Sequence, residues 1–392
     1  WSFEDPHWIL SRLKKEPGYF NYNKRTVFDL FEDIKNKGFS QALKERLMWA
    51  QMRMNPRDIA DVTGATYTYL INGHTPKENW TALFKPGEKI RLRFINASAM
   101  TYFDVSIPGL KMLVVQADGQ NIQPVEVDEF RIAVAERYDV IVEPKEYRAY
   151  TIFAEAMDRS GYARATLAPK EGMVGEVPRR RKPPERGMEI HGAHHTHTSH
   201  GGHGHHHSPC GACEPTPKEY KFGVPADMVV KEPACMLDDP GVGLKEEKHK
   251  VLTYADLRSY VPWEFMYDRK PERVIEVHLI GNMERFMWGM WTYDGKRWSS
   301  NVGDFIKLRY GELVRFVFVN HTMMDHPVHL HGMWMYLDNG SEEFKPRKDT
   351  INIKPGEKVC VDVLVDAKGY WAFHCHLLYH MHTGMIRVVE VS

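Results

Sequence analysis

The chain has 392 residues with 52 basic and 52 acidic side chains, a formal net charge of zero, and 43% hydrophobic residues. A chain of this length folds as two or three domains with ample core, and its balanced charge points to neither nucleic acid nor an anionic membrane surface. No apolar run reaches the roughly 18–20 residues of a spanning helix, so no membrane insertion is expected. No secretory signal is present, and an opening at Trp1 without Met reads as a processed protein or a fragment.

Taken in chain order, residues 24–54 carry apolar side chains at helical spacing and stop at Asn55-Pro56. Met48, Met52 and Met54 read there as core filler, with thioether ligation of a soft cation as the alternative. An internal repeat follows. KPGEKIRLRFINASAMTYFDVSI, from Lys85, aligns without a gap on RYGELVRFVFVNHTMMDHPVHLH, from Arg309, and YDVIVEPKEYRAYTIF, from Tyr138, aligns on VDVLVDAKGYWAFHCH, from Val361. Alternating β-branched and aromatic residues with Pro-Gly and Asn-Gly turns make each copy a Greek-key β-sandwich. The fold therefore reads as all-β: one unit over residues 1–169 with a helical insertion at about 24–54, a linker over 170–245, and a second unit over 246–392.

In the linker, EVPRRRKPPERG reads as a solvated, proline-rich tether without a partner. HGAHHTHTSHGGHGHHHSPCGAC follows, and its His191, His194, His195, His197, His200, His203, His205, His206 and His207 suit copper, nickel or zinc. The tract is not an expression tag, which would be terminal and uniform, and copper capture or delivery is favoured over an inert spacer. Cys210-x-x-Cys213 reads as a disulfide, a soft-metal site or two free thiols, while Cys360, alternating with valines, reads as a strand residue without a chemical role.

The second copy carries ligand-type residues that the first lacks: Tyr102, Val105 and Ile107 of the first stand where the second has His326, His329 and His331. Likewise Thr151, Ile152 and Phe153 stand where it has His374, Cys375 and His376. Side chains alternate along a strand, so His329 and His331 share one face, as do His374 and His376, while Cys375 points to the other. Four imidazoles can converge on one place, and Cys375, His326, His380 and Met385 on a second. Thiolate, two imidazoles and a thioether are the ligands of a mononuclear copper electron-transfer site. Structural zinc, or an ordinary buried cysteine, uses the same residue types.

The motifs H-P-x-H-x-H-G and H-C-H-x3-H-x4-M, in this order near the C-terminus, resemble the signature of multicopper oxidases. HPVHLHGMW, CHLLYHM and RLKKEPGYFNYNKRT are most similar to the copper-resistance oxidases of the bacterial periplasm. The resemblance implies two cupredoxin domains, the first copper-free, and a type 1 copper held by His326, Cys375, His380 and Met385. It implies His329 as a type 2 copper ligand and His331, His374 and His376 as type 3 ligands. It further implies that Cu(I) is oxidised, that electrons pass from Cys375 to the catalytic pair His374 and His376, and that four of them reduce O2 to water. Met323, Met324 and Asp325 are candidates for docking the substrate copper. The family's cluster takes four H-x-H pairs, and two are found here in strand-like contexts. The remaining pairs are expected from an N-terminal cupredoxin domain, in cis or in trans, without which the chain holds a type 1 copper, half a cluster and no oxidase activity. Laccase-like phenol oxidation, which needs an open pocket beside His380, and a copper carrier without turnover are the alternatives.

Overall fold

Among the described residues four β-sheets form, and they follow the two sequence copies. The computed structural model describes residues 1–187, 213, 220, 222–223, 226–266 and 268–392; the histidines from His191 to His207 and Cys210 lie outside the described residues. Within residues 81–168 a five-stranded and a four-stranded sheet share one core, built around Phe130, Val114, Tyr138 and Ile152. The second copy supplies a seven-stranded sheet with Arg273–Asn282, Leu313–Asn320 and Lys358–Leu364 at its centre. Against it lies a five-stranded sheet in the order Ile306–Leu308, Ile386–Val391, Gly369–Cys375, His326–Leu330 and Thr350–Ile353.

The copies share backbone devices as well as patterning. Gly87 and Gly311, aligned by the repeat, both sit at φ +85°, the left-handed turn conformation that glycine adopts without strain. The amide of Asn96 donates to the carbonyls of Thr101 and Ile132, and that of Asn320 to those of Met324 and Ile353. Arg91 pairs with Asp139 across neighbouring strands, and Arg315 pairs with Asp362.

The helical stretch expected over residues 24–54 is two helices, Val27–Lys37 and Phe39–Gln51, parted by Gly38 at φ +83°. A further helix, Pro6–Lys15, precedes them, with Asp5 capping the N–H groups of His7 and Trp8 and proline in the first turn. Ile9, Leu13, Trp49 and Ile59 are buried not with the first pair of sheets but in the core that also holds Phe373, Cys375 and Met385. Leu252 and Leu257, beyond residue 246, are buried in the first core. Each copy is thus clamped by chain from the other side of the sequence.

Two expectations are corrected. EVPRRRKPPERG is not a solvated tether: Arg181 reaches Glu129, Glu155 and Glu247 at 2.6, 2.7 and 3.0 Å, and Arg186 is buried against Asp325. Its arginines answer carboxylates that no sequence spacing connects to them. Cys360 is not chemically idle either, because it forms a disulfide with Cys213, 147 residues away. Cys235 is disulfide-bonded too, and Cys375 is a free, buried thiol. Among the described residues, no helix is long and apolar enough to cross a membrane.

Candidate metal centre

The strand His326–Leu330 pairs antiparallel with Gly369–Cys375, which sets Val328 opposite Cys375 and His329 opposite His374. After Cys375 the chain turns into the short helix Leu378–His382, which brings His380 back over the strand end. Cys375 Sγ lies 3.6 Å from His326 Nδ1 and 3.9 Å from His380 Nδ1, and the two Nδ1 atoms are 3.1 Å apart. Donors at ordinary metal–ligand lengths of about 2.0–2.3 Å draw a triangle of about this size around one ion. Among the described residues, this is the one group of three such side chains whose ligand atoms all lie within 4.8 Å of one another.

All three side chains are fully buried, and their outer atoms are held. His326 Nε2 lies 2.7 Å from Thr322 Oγ1, and His380 Nε2 lies 2.7 Å from Asp61 Oδ2. The tautomer with the proton on Nε2 leaves each Nδ1 lone pair aimed at Sγ, the arrangement that a bound metal takes from its surroundings. Burial lowers His380 to about 3 and His326 well below its ordinary value, so both imidazoles are neutral and able to bind. It also raises the Cys375 thiol, and only a cation at the site would favour the thiolate there.

Met385 ties into the same turn. Its N–H donates to the His380 carbonyl and its carbonyl accepts from Cys375 N–H, both at 3.0 Å, and its side chain is wholly buried. Gly384 beside it sits at φ +126°, and a Cβ there would come within 2.5 Å of the Trp288 carbonyl oxygen. The Trp288 ring in turn stacks on His380 with centroids 3.9 Å apart and 27° between planes. Asp61, Thr322 and Trp288 were not among the residues singled out from the sequence. Thr322 alone left a signal, since it aligns with Ser98, and both hydroxyls donate to the asparagine two residues before them.

His329, His331, His374 and His376 gather on the opposite face of the same strands. Ring centroids of His329 and His331 are 4.6 Å apart, those of His331 and His374 5.3 Å, and those of His374 and His376 5.4 Å. His331 Nε2 and His374 Nε2 are 3.1 Å apart. His329 Nδ1 lies 2.8 Å from the Asp349 carbonyl oxygen, which turns Nε2 toward the group. His374 is buried, His329 and His376 are half-buried and His331 is exposed, so the quartet faces outward. Met323, Met324 and Asp325 are all buried; Asp325 is committed to Arg186 and to Asn352 Nδ2, while Met323 lines a small cavity beside the mononuclear site.

The two-layer β-sandwich units and a buried Cys-His-His triangle define the class. Family models described as multicopper oxidase match residues 26–172 and 268–392, and the chain belongs to the multicopper oxidase family, copper-dependent oxidoreductases. It is similar to a copper resistance protein A homolog of Pseudomonas syringae pv. tomato, at 49% identity over all of this chain and 69% of that protein. Copper resistance protein A of Escherichia coli is 48% identical over all of this chain and 70% of its own length. Fet3p, whose structure is described as that of a multicopper oxidase functioning in iron import, aligns with a TM-score of 0.52 at 17% identity, over 80% of this chain and 57% of that one, which speaks for the fold alone. The donor set fits the family's cofactor, copper: two neutral imidazoles and a thiol converge, with a methionine bound through its backbone to the same turn.

Proposed function

We propose that the chain is a cuprous oxidase of copper resistance, with His326, Cys375, His380 and Met385 as the ligands of a mononuclear type 1 copper. His329 as type 2 ligand and His331, His374 and His376 as type 3 ligands form half of a cluster whose other half comes from an N-terminal cupredoxin domain, in cis or in trans. Copper so bound supplies one-electron chemistry between a reduced substrate and O2. The protein's part is to hold and connect. Asp61 and Thr322 fix the imidazoles, Trp288 excludes water from their faces, and Cys375 carries its neighbours His374 and His376 on the same backbone. That short covalent link, with His374 Nδ1 2.9 Å from the Cys375 carbonyl oxygen, is the electron path between the two groups.

The observation that carries the substrate reading is the burial of His380. Its ring is 0% exposed, its face is covered by Trp288 and its Nε2 is taken by Asp61. A phenol needs an open pocket beside that imidazole, whereas a small cation needs only donor atoms nearby. This burial supports Cu(I) as the substrate over laccase-like phenol oxidation. The disulfide between Cys213 and Cys360 belongs to an oxidising compartment and supports a periplasmic location.

The test is oxygen uptake with Cu(I), with and without an added N-terminal domain, alongside the visible spectrum of the Cu(II)-loaded chain. An intense blue thiolate-to-copper band together with Cu(I)-driven uptake that requires the added domain supports the proposal. Absence of the band overturns the mononuclear assignment, and a blue protein that never consumes oxygen with either addition is a copper carrier.

A further inference from the structure

Four consecutive residues of the second unit, Arg347, Lys348, Asp349 and Thr350, are each bonded to the first unit. Arg347 Nε donates to Gln120 Oε1 at 2.9 Å. Lys348 Nζ lies 2.9 Å from Asp118 Oδ2 and 3.2 Å from Glu136 Oε1. Arg137 donates from Nη1 and Nη2 to the two carboxylate oxygens of Asp349, at 2.8 and 2.6 Å. The Thr350 N–H donates to Asp118 Oδ2 at 3.3 Å. Lys348 is 0% exposed and its carboxylates come from the first unit, so its buried charge is compensated only while the units are docked. The two-pronged pairing of Arg137 adds a fixed geometry that a single point charge would not impose.

The same run holds His329. Its Nδ1 lies 2.8 Å from the Asp349 carbonyl oxygen and 3.1 Å from Thr350 Oγ1. A carbonyl can only accept, and the Thr350 hydroxyl is given to Asp349 Oδ1 at 3.0 Å. The imidazole proton therefore sits on Nδ1 and the Nε2 lone pair is free. His374 is held differently, since its Nδ1 contact is the carbonyl oxygen of Cys375, its own neighbour in the chain. The first unit contributes none of the four imidazoles, yet it fixes the peptide that orients one of them. Without Arg137 nothing would pin the Asp349 carboxylate, whose Oδ1 is 3.6 Å from His329 Nδ1, or the backbone that carries it.

We propose that Arg137, acting through Asp349, is a positioning residue that presets the His329 imidazole for a metal. The assignment rests on the reading of His329 as a cluster ligand. It makes the first unit part of the metal centre's construction: the quartet is ready only when residues 347–350 are seated on Asp118, Gln120, Glu136 and Arg137.

The experiment reads the imidazole 15N spectrum of the metal-free full chain at alkaline pH, where imidazoles are neutral, with His329 assigned through His329→Gln. The parent is expected to show a fixed Nδ1–H tautomer at His329. Arg137→Gln is expected to lose it toward the Nε2–H form that a solvated imidazole prefers, while His374 keeps its spectrum. Arg91→Gln breaks the Arg91–Asp139 pair of the same unit, controls for lost stability, and is expected to leave His329 unmoved. An Nε2–H tautomer in the parent, an unmoved His329 in Arg137→Gln or an equal shift in Arg91→Gln overturns the proposal. The blue band of the Cu(II)-loaded chain separates this from the parent reading, because it depends on Cys375 on the opposite face. An unmoved His329 with the band present rejects the positioning role alone, whereas a shifted His329 in a chain without the band keeps that role and rejects the oxidase reading.

Discussion

Asp61 Oδ2 lies 2.7 Å from His380 Nε2 across 319 residues of sequence, so the imidazole that completes the mononuclear triangle is oriented by the loop after the N-terminal helices. Asp61 itself sits at φ +54°, a conformation that Asn tolerates better than Ala. Asp61→Asn should fold normally, keep an acceptor for Nε2–H and lose copper affinity modestly. Asp61→Ala should lose roughly 10–100-fold, the usual effect of removing such a partner. Competition with a chelator of known affinity measures both, and equal affinities in the three proteins would mean that the contact does not orient the ligand.

Trp288 makes a different prediction. Its ring lies on His380 and over Gly281, where a Cβ would come within 2.5 Å of it, and its indole N–H is buried without a partner. Trp288→Phe removes that orphan donor and should cost little. Trp288→Ala should cost about 3–5 kcal/mol in urea unfolding, the range for deleting a large buried aromatic ring. It should also raise turnover of small phenols relative to Cu(I), and an unchanged ratio would mean that something other than the indole excludes them.

What the sequence made legible follows from what chemistry leaves no choice about. Cys375, His326 and His380 carry their ligand atoms in their residue identity, and strand alternation sorts them from His329, His331, His374 and His376 without a structure. The repeat was legible because Gly87 and Gly311, or Asn96 and Asn320, do the same backbone task twice. Asp61 and Trp288 were not legible, since a residue that merely touches a ligand needs no fixed spacing from it. The partner of Cys360 was hidden for the same reason: pairing of cysteines is a fact of three dimensions. The helix Pro6–Lys15 did leave a trace, the Asp5-Pro6 cap, which periodicity alone overlooks.

The buried ion network of the first sandwich gives a pH prediction with a definite sign. Burial alone would raise Asp104, but Arg131 and Arg159, at 2.7 and 2.6 Å, bring its carboxyl down to about 2. A folded-state value below the unfolded one stabilises the protein above the unfolded value of 3.8, and the contribution fades as pH falls through about 2. Asp104→Asn leaves the buried Arg131 without its ion-pair partner and Arg159 with Glu155 alone, and should destabilise by about 3–5 kcal/mol near neutrality. The gap between variant and parent should narrow between about pH 4 and pH 2, read by denaturant unfolding across pH. A gap that stays constant over that range would place the stabilisation elsewhere.

The disulfide between Cys213 and Cys360 fastens a residue of the inter-unit segment to Lys358–Leu364, in the interior of the seven-stranded sheet. Closing 147 residues is worth roughly 5 kcal/mol in the chain-entropy account, an upper figure because native strain and residual structure subtract from it. Cys213→Ser with Cys360→Ala should therefore lower the thermal midpoint by several degrees. Cys375 lies on the other sheet, so the blue band of the copper-loaded variant should keep its position. Loss of the band together with stability would mean that the bond also holds the metal site in shape, whereas an unchanged midpoint would mean that the segment is already fixed by the Asp227 N–H to Gly281 carbonyl bond and its neighbours.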